Sequence, residues 1–215
     1  EEVKHRMLDV RNNATITEFM DKTKPDFVFH MAAQPIVVTS YTNPVDTIST
    51  NVMGTTNVLE ALRIVNRKCT AIIITSDKTY GNVEQVWGYK ENDKMGGKDV
   101  YSGSKGAAEL IIKSYYHSFF KSSECNIKLA IGRAGNVIGG GDWARDRIVV
   151  DCVEAWSRGQ SVEIRSPEAT RPWQHVLEPL SGYLNLGARL YVDNSFHGEA
   201  FNFGPRAEQN HTVKQ

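Results

Sequence analysis

Short apolar runs alternate with longer stretches in which apolar residues recur every three or four positions, a pattern that predicts strands interleaved with helices. Phe27-Val28-Phe29-His30-Met31, Ala71-Ile72-Ile73-Ile74 and residues 127–131 predict buried strands. Asn12 or Asn13 is placed to cap a helix reaching about Lys22 and stopped before Pro25. Val45, Ile48, Val52, Leu59 and Leu62 predict one long helix over 44–65, and Leu110, Ile111, Tyr115 and Phe119 another over 101–120. The polar, glycine-bearing stretch 82–98 predicts a loop. Strands separated by helices pair in parallel, so the expected fold is α/β, a doubly wound parallel sheet of the Rossmann type. Past residue 138 the pattern loosens into Gly139-Gly140-Gly141-Asp142-Trp143, a helix over 147–156, the strand-like Val162-Glu163-Ile164, a helix over 178–190 and the strand-like Phe201-Asn202-Phe203-Gly204. The expected organisation is a domain over 1–138 and a smaller second region over 139–215.

Composition narrows the function classes. Twenty-five basic and twenty-five acidic side chains cancel, so no global field draws the chain to nucleic acid or to an anionic membrane. No apolar run reaches the roughly 18 residues of a membrane span, and Glu1-Glu2-Val3-Lys4-His5 carries no signal-peptide core, so a cytoplasmic location and a small-molecule ligand are expected. Cys69, Cys125 and Cys152 are odd in number and widely spaced, which predicts reduced, buried thiols and neither a disulfide nor a zinc site. His30 and His175 are expected to be packed structural histidines, and no residue cluster predicts a metal.

Tyr101 and Lys105 are the most informative pair. Chance alone gives about 0.5 Tyr-x-x-x-Lys spacings in a chain with eight tyrosines and thirteen lysines, so context must supply the weight. On a helix, residues four apart share a face, which sets the ammonium beside the phenol. A phenol of pKa about 10 becomes a base near pH 7 only if its phenolate gains roughly 4 kcal/mol, about what a cation some 4 Å away supplies at an effective dielectric near 20. Ser76-Asp77-Lys78 closes the preceding strand. Ala32-Ala33, Ser76-Asp77-Lys78 and Asn136 all fall just past strand carboxyl ends, where ligands of such sheets bind.

These segments resemble the extended short-chain dehydrogenase/reductase superfamily. The shared signals are Leu8-Asp9-Val10-Arg11, His30-Met31-Ala32-Ala33, Asn51-Val52-Met53-Gly54-Thr55, Tyr80-Gly81, Tyr101 with Lys105, and Arg133-Ala134-Gly135-Asn136-Val137. Ser76-Asp77-Lys78, Trp87-Gly88-Tyr89, Ile138-Gly139-Gly140-Gly141-Asp142-Trp143-Ala144 and residues 171–179 are similar to one branch, the CDP-glucose 4,6-dehydratases. One departure is large: the glycine-rich dinucleotide loop is not in the sequence. If Met7-Leu8-Asp9 ends a third strand, two strand-helix units of about thirty residues each would precede it, and similar enzymes continue past Phe203-Gly204-Pro205. The expectation is an internal fragment, with a partial NAD-binding domain over 1–138 and a partial substrate-binding region over 139–215, that binds NAD poorly as it stands and is inactive.

The resemblance implies an internal redox dehydration in which NAD oxidises C4 of CDP-glucose, water leaves across C5 and C6, and the hydride returns to C6. Tyr101 is then the base at the 4-hydroxyl, Lys105 holds the ribose and stabilises the phenolate, Ser76 bonds the 4-hydroxyl, Asp77 protonates the departing 6-hydroxyl and Lys78 is the base at C5. Asp9, Val10, Ala32, Ala33, Gln34 and Asn51 are the remaining cofactor residues; Asn136, Arg147 and Arg171 join Ser76 as substrate residues, with Arg171 the arginine expected on the pyrophosphate. The rival readings are a solvated Asp77-Lys78 pair, Ser76 as a turn former, Arg171 as a surface charge, and Asp9 as an ordinary strand-end acid. For the whole chain the alternatives are another nucleotide-sugar 4,6-dehydratase or 4-epimerase, or a non-catalytic nucleotide-binding dimerisation module. The helices over 47–66 and 101–120 resemble those that pair between subunits, so a homodimer is expected.

Overall fold

The computed structural model describes residues 3–83, 85, 87–144 and 146–215. Helix α1 (Asn13–Thr23) starts where the Asn12 side chain accepts the Thr15 amide at 3.2 Å, and stops at Lys24, which is left-handed at φ 48°. Strand β1 (Phe27–His30) leads to α2 (Val37–Thr42) and α3 (Pro44–Ile48), and a π-helical turn at Ser49–Met53 runs into α4 (Gly54–Val65). Strand β2 (Cys69–Ser76) ends in a 3₁₀ turn, Asp77–Thr79, after which come α5 (Val100–Tyr115), a second π turn (Tyr116–Phe120) and β3 (Ile127–Ala134). The rest is β4 (Val137–Ile138), α6 (Ile148–Ser157), β5 (Thr170–Arg171), β6 (Gln174–His175), α7 (Leu177–Val192), β7 (Ala200–Phe203) and β8 (His211–Thr212).

The main sheet has the order β1-β2-β3-β7, every pair parallel, with Ala71 opposite Leu129 and Ile73 opposite Ile131. Strands of period two send alternate side chains to opposite faces, and both faces of this sheet are covered. Ala71, Ile73, Leu129 and Ile131, all 0% exposed, enter one core with Ile16, Met20, Leu59, Leu62 and Ile112 from α1, α4 and α5. Ile72 and Ala130 face the other way, onto Leu186 and Leu190 of α7. That double cover makes β2 an unbroken apolar run where a one-sided strand would alternate. The fold is therefore the doubly wound parallel α/β sheet that the pattern predicts. Residues 177–203 rejoin this sheet as α7 and β7, so a division after residue 138 separates residues that share one sheet.

Four expectations need correction. The helix over 44–65 is interrupted by the π turn at Ser49–Met53, and α2 precedes it in a stretch for which the pattern predicted no element. Val162-Glu163-Ile164 forms no strand, and Met7-Leu8-Asp9 pairs with none. A three-residue apolar alternation without a neighbouring edge has no ladder to satisfy its amides.

Candidate active site

The carboxyl ends of β1, β2 and β3 bring Ala32, Ala33, Ser76, Asp77, Lys78 and Asn136 to one end of the sheet. Helix α5 begins where the Asp99 carboxylate accepts the Ser102 amide at 2.9 Å and its hydroxyl at 2.7 Å, which places Tyr101 in the first turn. Tyr101 and Lys105 are each 7% exposed, one turn apart on the face turned inward. Ser76 ends β2, lies near enough to the Tyr101 hydroxyl to act on its ionisation, donates to Asp77 Oδ1 at 3.0 Å and accepts the Lys78 amide at 3.2 Å. Ser76 thus organises the turn and also acts on the phenol, so the two readings of it are compatible. Asp77 and Lys78 are half-buried in the 3₁₀ turn. Asp77 also reaches the turn after β3: a Cβ on Gly135 would lie 3.5 Å from Asp77 Oδ2 and 3.0 Å from Pro172 Cγ. Asn136, next in that turn, is half-buried and accepts the Gln174 amide at its carbonyl at 3.0 Å.

The electrostatics differ from the expectation of a phenol lowered by Lys105. Burial pushes the Tyr101 hydroxyl up, Ser76 opposes that, Asp77 adds to the rise, and the cation that counters it is Arg147 at the start of α6. Burial likewise pushes Lys105 down to about 8, restrained by the negative charge of Glu109 one turn further along α5. Lys105 is felt instead by His30, which burial and then that ammonium press down to about 4. The distance argument for the Tyr-Lys pair leaves out desolvation, and desolvation is the larger effect on both groups.

Asn51 is the hinge of the site. It sits in the π turn, 1% exposed, where the extra residue turns its amide inward. Its oxygen accepts the Gln34 amide at 2.8 Å; its nitrogen donates to the Gln34 carbonyl at 3.2 Å and to Ser104 Oγ at 2.9 Å, and Ser104 donates to the Tyr101 carbonyl at 2.6 Å. One side chain therefore fixes the loop after β1, with exposed Ala32 and half-buried Ala33, against the first turn of α5. Asp9 and Val10 stand apart from this cluster. The exposed Asp9 carboxylate is held below its usual range by the Arg11 guanidinium, which also reaches Asp46, while Val10 packs on Gly54. Arg147 turns its Nε toward Asp142 Oδ2 at 3.4 Å, and Arg171 donates to the Thr170 carbonyl at 2.8 Å. His30 is packed, 6% exposed, beside Thr55; His175 is exposed and accepts the Leu177 amide at the start of α7, so the expectation of a packed side chain there fails.

Sequence reasoning missed an ion pair beneath this cluster. Glu109, at 0% exposed, receives Arg133 in a fork of 2.8 and 2.5 Å, with the Thr75 hydroxyl adding a bond of 2.6 Å. The signal was available: Tyr101, Lys105 and Glu109 lie at successive intervals of four and so share one face of the helix.

A family model described as GDP-mannose 4,6 dehydratase matches residues 1–186. The chain belongs to that family. The chain is 49% identical over 209 residues to the CDP-glucose 4,6-dehydratase of Salmonella typhimurium, covering 96% of this chain and 58% of the relative. It is 28% identical to the CDP-paratose 2-epimerase of Salmonella typhi, over 91% of this chain and 62% of that protein. Among solved structures, the dTDP-glucose 4,6-dehydratase of Streptomyces venezuelae, crystallised with NAD bound, superposes at a TM-score of 0.81 with 18% identity, over 96% of this chain and 59% of that one. The UDP-glucose 4-epimerase of Thermotoga maritima gives 0.81 with 24% identity, over 97% and 64%. The family member described here spans about three-fifths of the length of these relatives.

Proposed function

We propose that the protein dehydrates CDP-D-glucose to CDP-4-dehydro-6-deoxy-D-glucose with NAD as its redox cofactor. The observation that carries this reading is the Ser76-Asp77-Lys78 turn, whose Ser76 acts on the Tyr101 phenol, in a chain 49% identical to a CDP-glucose 4,6-dehydratase. A 4-epimerase has no need of an acid and a base poised for elimination, so Asp77 and Lys78 favour the dehydratase.

The residues present fit the cofactor. Small Ala32 and Ala33 leave the backbone after β1 approachable, Asn51 holds the adjoining Gln34 amide in place, and Asp9 beside Val10 offers an exposed carboxylate. These six, with Tyr101 and Lys105, would hold NAD, which when bound supplies a hydride acceptor and later a hydride donor. Tyr101 takes the proton of the 4-hydroxyl, oriented by Ser76, and the Arg147 cation is there to favour the phenolate over the buried phenol. Lys78 removes the C5 proton once C4 is a ketone, and Asp77 gives a proton to the leaving 6-hydroxyl. Asn136, Arg147 and Arg171 serve the nucleotide sugar, the guanidiniums being suited to phosphate oxygens.

A cytoplasmic homodimer completes the proposal. No helix among the described residues is long and apolar enough to cross a membrane. Exposed Ile48, Met53, Ile64, Leu110 and Phe119 are apolar side chains available for subunit pairing on the two helices, whereas Leu59, at 0% exposed, belongs to the subunit's own core.

Lys78→Met in the full-length enzyme tests the assignment. CDP-glucose should still raise reduced-nicotinamide absorbance, while the 4-keto-6-deoxy product and solvent deuterium exchange at C5 are lost. Normal exchange and dehydration in that variant would remove Lys78 from the role of base.

A further inference from the structure

The ion pair beneath the site has an outward arm. Arg133 spends Nε and Nη2 on Glu109, and its Nη1 donates to the Tyr80 hydroxyl at 2.6 Å and to the Glu91 carbonyl at 2.9 Å. Tyr80 donates on to Asn202 Oδ1 at 2.7 Å. Asn202 in turn donates its side-chain amide to the Tyr89 carbonyl and its backbone amide to the Glu91 carboxylate, both at 2.9 Å, and the Tyr89 ring stacks on Tyr80 at 5.0 Å. The chain of bonds therefore starts on the catalytic helix and ends on the loop between Tyr80 and Gly97.

That loop is pinned beside the reacting groups at both ends. It departs two residues after Lys78, and the Gly96 amide returns to the Thr79 carbonyl at 2.9 Å. Gly97 then seats on the first turn of α5 so closely that a Cβ there would lie 2.0 Å from Ser102 Cβ. A buried ion pair is weak support for stability as such, since apolar residues of equal volume often serve as well. It does fix direction, because a guanidinium fork admits few arrangements.

We infer that Arg133, oriented by Glu109, is a positioning residue that locks residues 87–91 into one conformation against the Tyr101–Lys105 face, with Tyr80 and Asn202 as its couplings, and that this locked segment forms a wall of the sugar-nucleotide pocket. Only the pocket role rests on the proposed reaction.

Removing Glu109 or Arg133 alone strands a buried charge and risks unfolding, so Tyr80→Phe and Asn202→Ala in the full-length enzyme are the informative changes. Losing a net hydrogen bond corresponds to about tenfold in an equilibrium. Amide hydrogen exchange over residues 87–91 should quicken about tenfold in each variant while β2 and the second half of α5 keep their protection. In turnover of CDP-glucose, KM should rise about tenfold with kcat within about twofold. Unchanged loop exchange in a folded variant overturns the lock, and quickened exchange with an unmoved KM overturns the wall. If the wild type fails to turn over CDP-glucose, the proposed reaction falls, and the exchange result still decides the lock.

Discussion

The two ends of the parallel sheet are built from different materials. At the amino ends of β2 and β3, Cys69 and Ile127 meet Met20, Leu62 and Phe120, none more than 8% exposed, in a contact made almost wholly of carbon and sulfur. The surroundings are apolar enough to push the Cys69 thiol up to about 11. At the carboxyl ends, the equally buried side chains are His30, Thr75, Glu109 and Arg133, with Lys105 and Asn51 beside them. Burying such groups costs several kcal/mol apiece unless each finds a partner, and most do: Glu109 takes three donors, Asn51 three contacts, and Arg133 four. Lys105 is the exception among the described residues, with its charge opposed by burial and balanced by Glu109 at a distance. The difference teaches that one end supplies folding free energy through transfer of apolar surface, and the other spends some of it to hold charged groups ready.

The sharpest way to break that division is Tyr101→Phe, which keeps the ring and removes the ionisable oxygen. Turnover of CDP-glucose should fall by roughly 10² to 10⁴, the usual worth of general acid-base groups, with cofactor affinity and thermal midpoint nearly unchanged. Near-normal turnover would take the chemistry away from the carboxyl end as drawn. At the opposite end, Leu62→Ala should do the reverse. Leu62 is 3% exposed among Met20, Val65 and Ile127, so its truncation should cost about 3 kcal/mol in urea unfolding and leave kcat of the folded fraction within about twofold. A large change in kcat would show that the two ends are coupled.

The apolar end was legible in sequence and the polar end only in part. The runs 71–74 and 127–131 announce strands covered on both faces, and Asn12 announces a cap, because burial and capping are written in local spacing. Helix α2 was not, since Val37-Val38-Thr39-Ser40-Tyr41-Thr42 is rich in β-branched residues that disfavour helix, and it forms where tertiary packing and the Ser40 bond to the Val37 carbonyl hold it. The π turn around Asn51 shifts the helical register by one residue, too small a change for a period to reveal. Tyr101, Lys105 and Ser76-Asp77-Lys78 were found by motif and do share one end of the sheet, yet which cation faces the phenol depends on Arg147, forty-six residues away in the chain. The Glu109–Arg133 fork spans twenty-four residues, a separation that no local spacing joins; the clue was that Glu109 shares the helix face of Tyr101 and Lys105.

The smallest effect tests whether the carboxyl end also draws on stability. His30 lies at the end of β1 beside Lys105, and its folded pKa of about 4 stands below the usual 6.5, first because of burial and then because of that ammonium. A group whose folded pKa is depressed contributes stability that is present above the unfolded value and lost as pH falls toward the folded one, because the unfolded chain takes up a proton that the folded one refuses. Lys105, pushed down to about 8, has the same sign in a higher window, between about 8 and 10.5, and does not interfere below pH 7. Between pH 7 and pH 5 the His30 contribution amounts to about 2 kcal/mol. Urea unfolding at those two pH values should therefore show a drop in the wild type that is smaller by about that amount in His30→Gln, even if the variant is less stable at both. Parallel pH dependence in the two proteins would mean that His30 is not buried in its neutral form, and that the carboxyl end holds its charges at less cost than its burial implies.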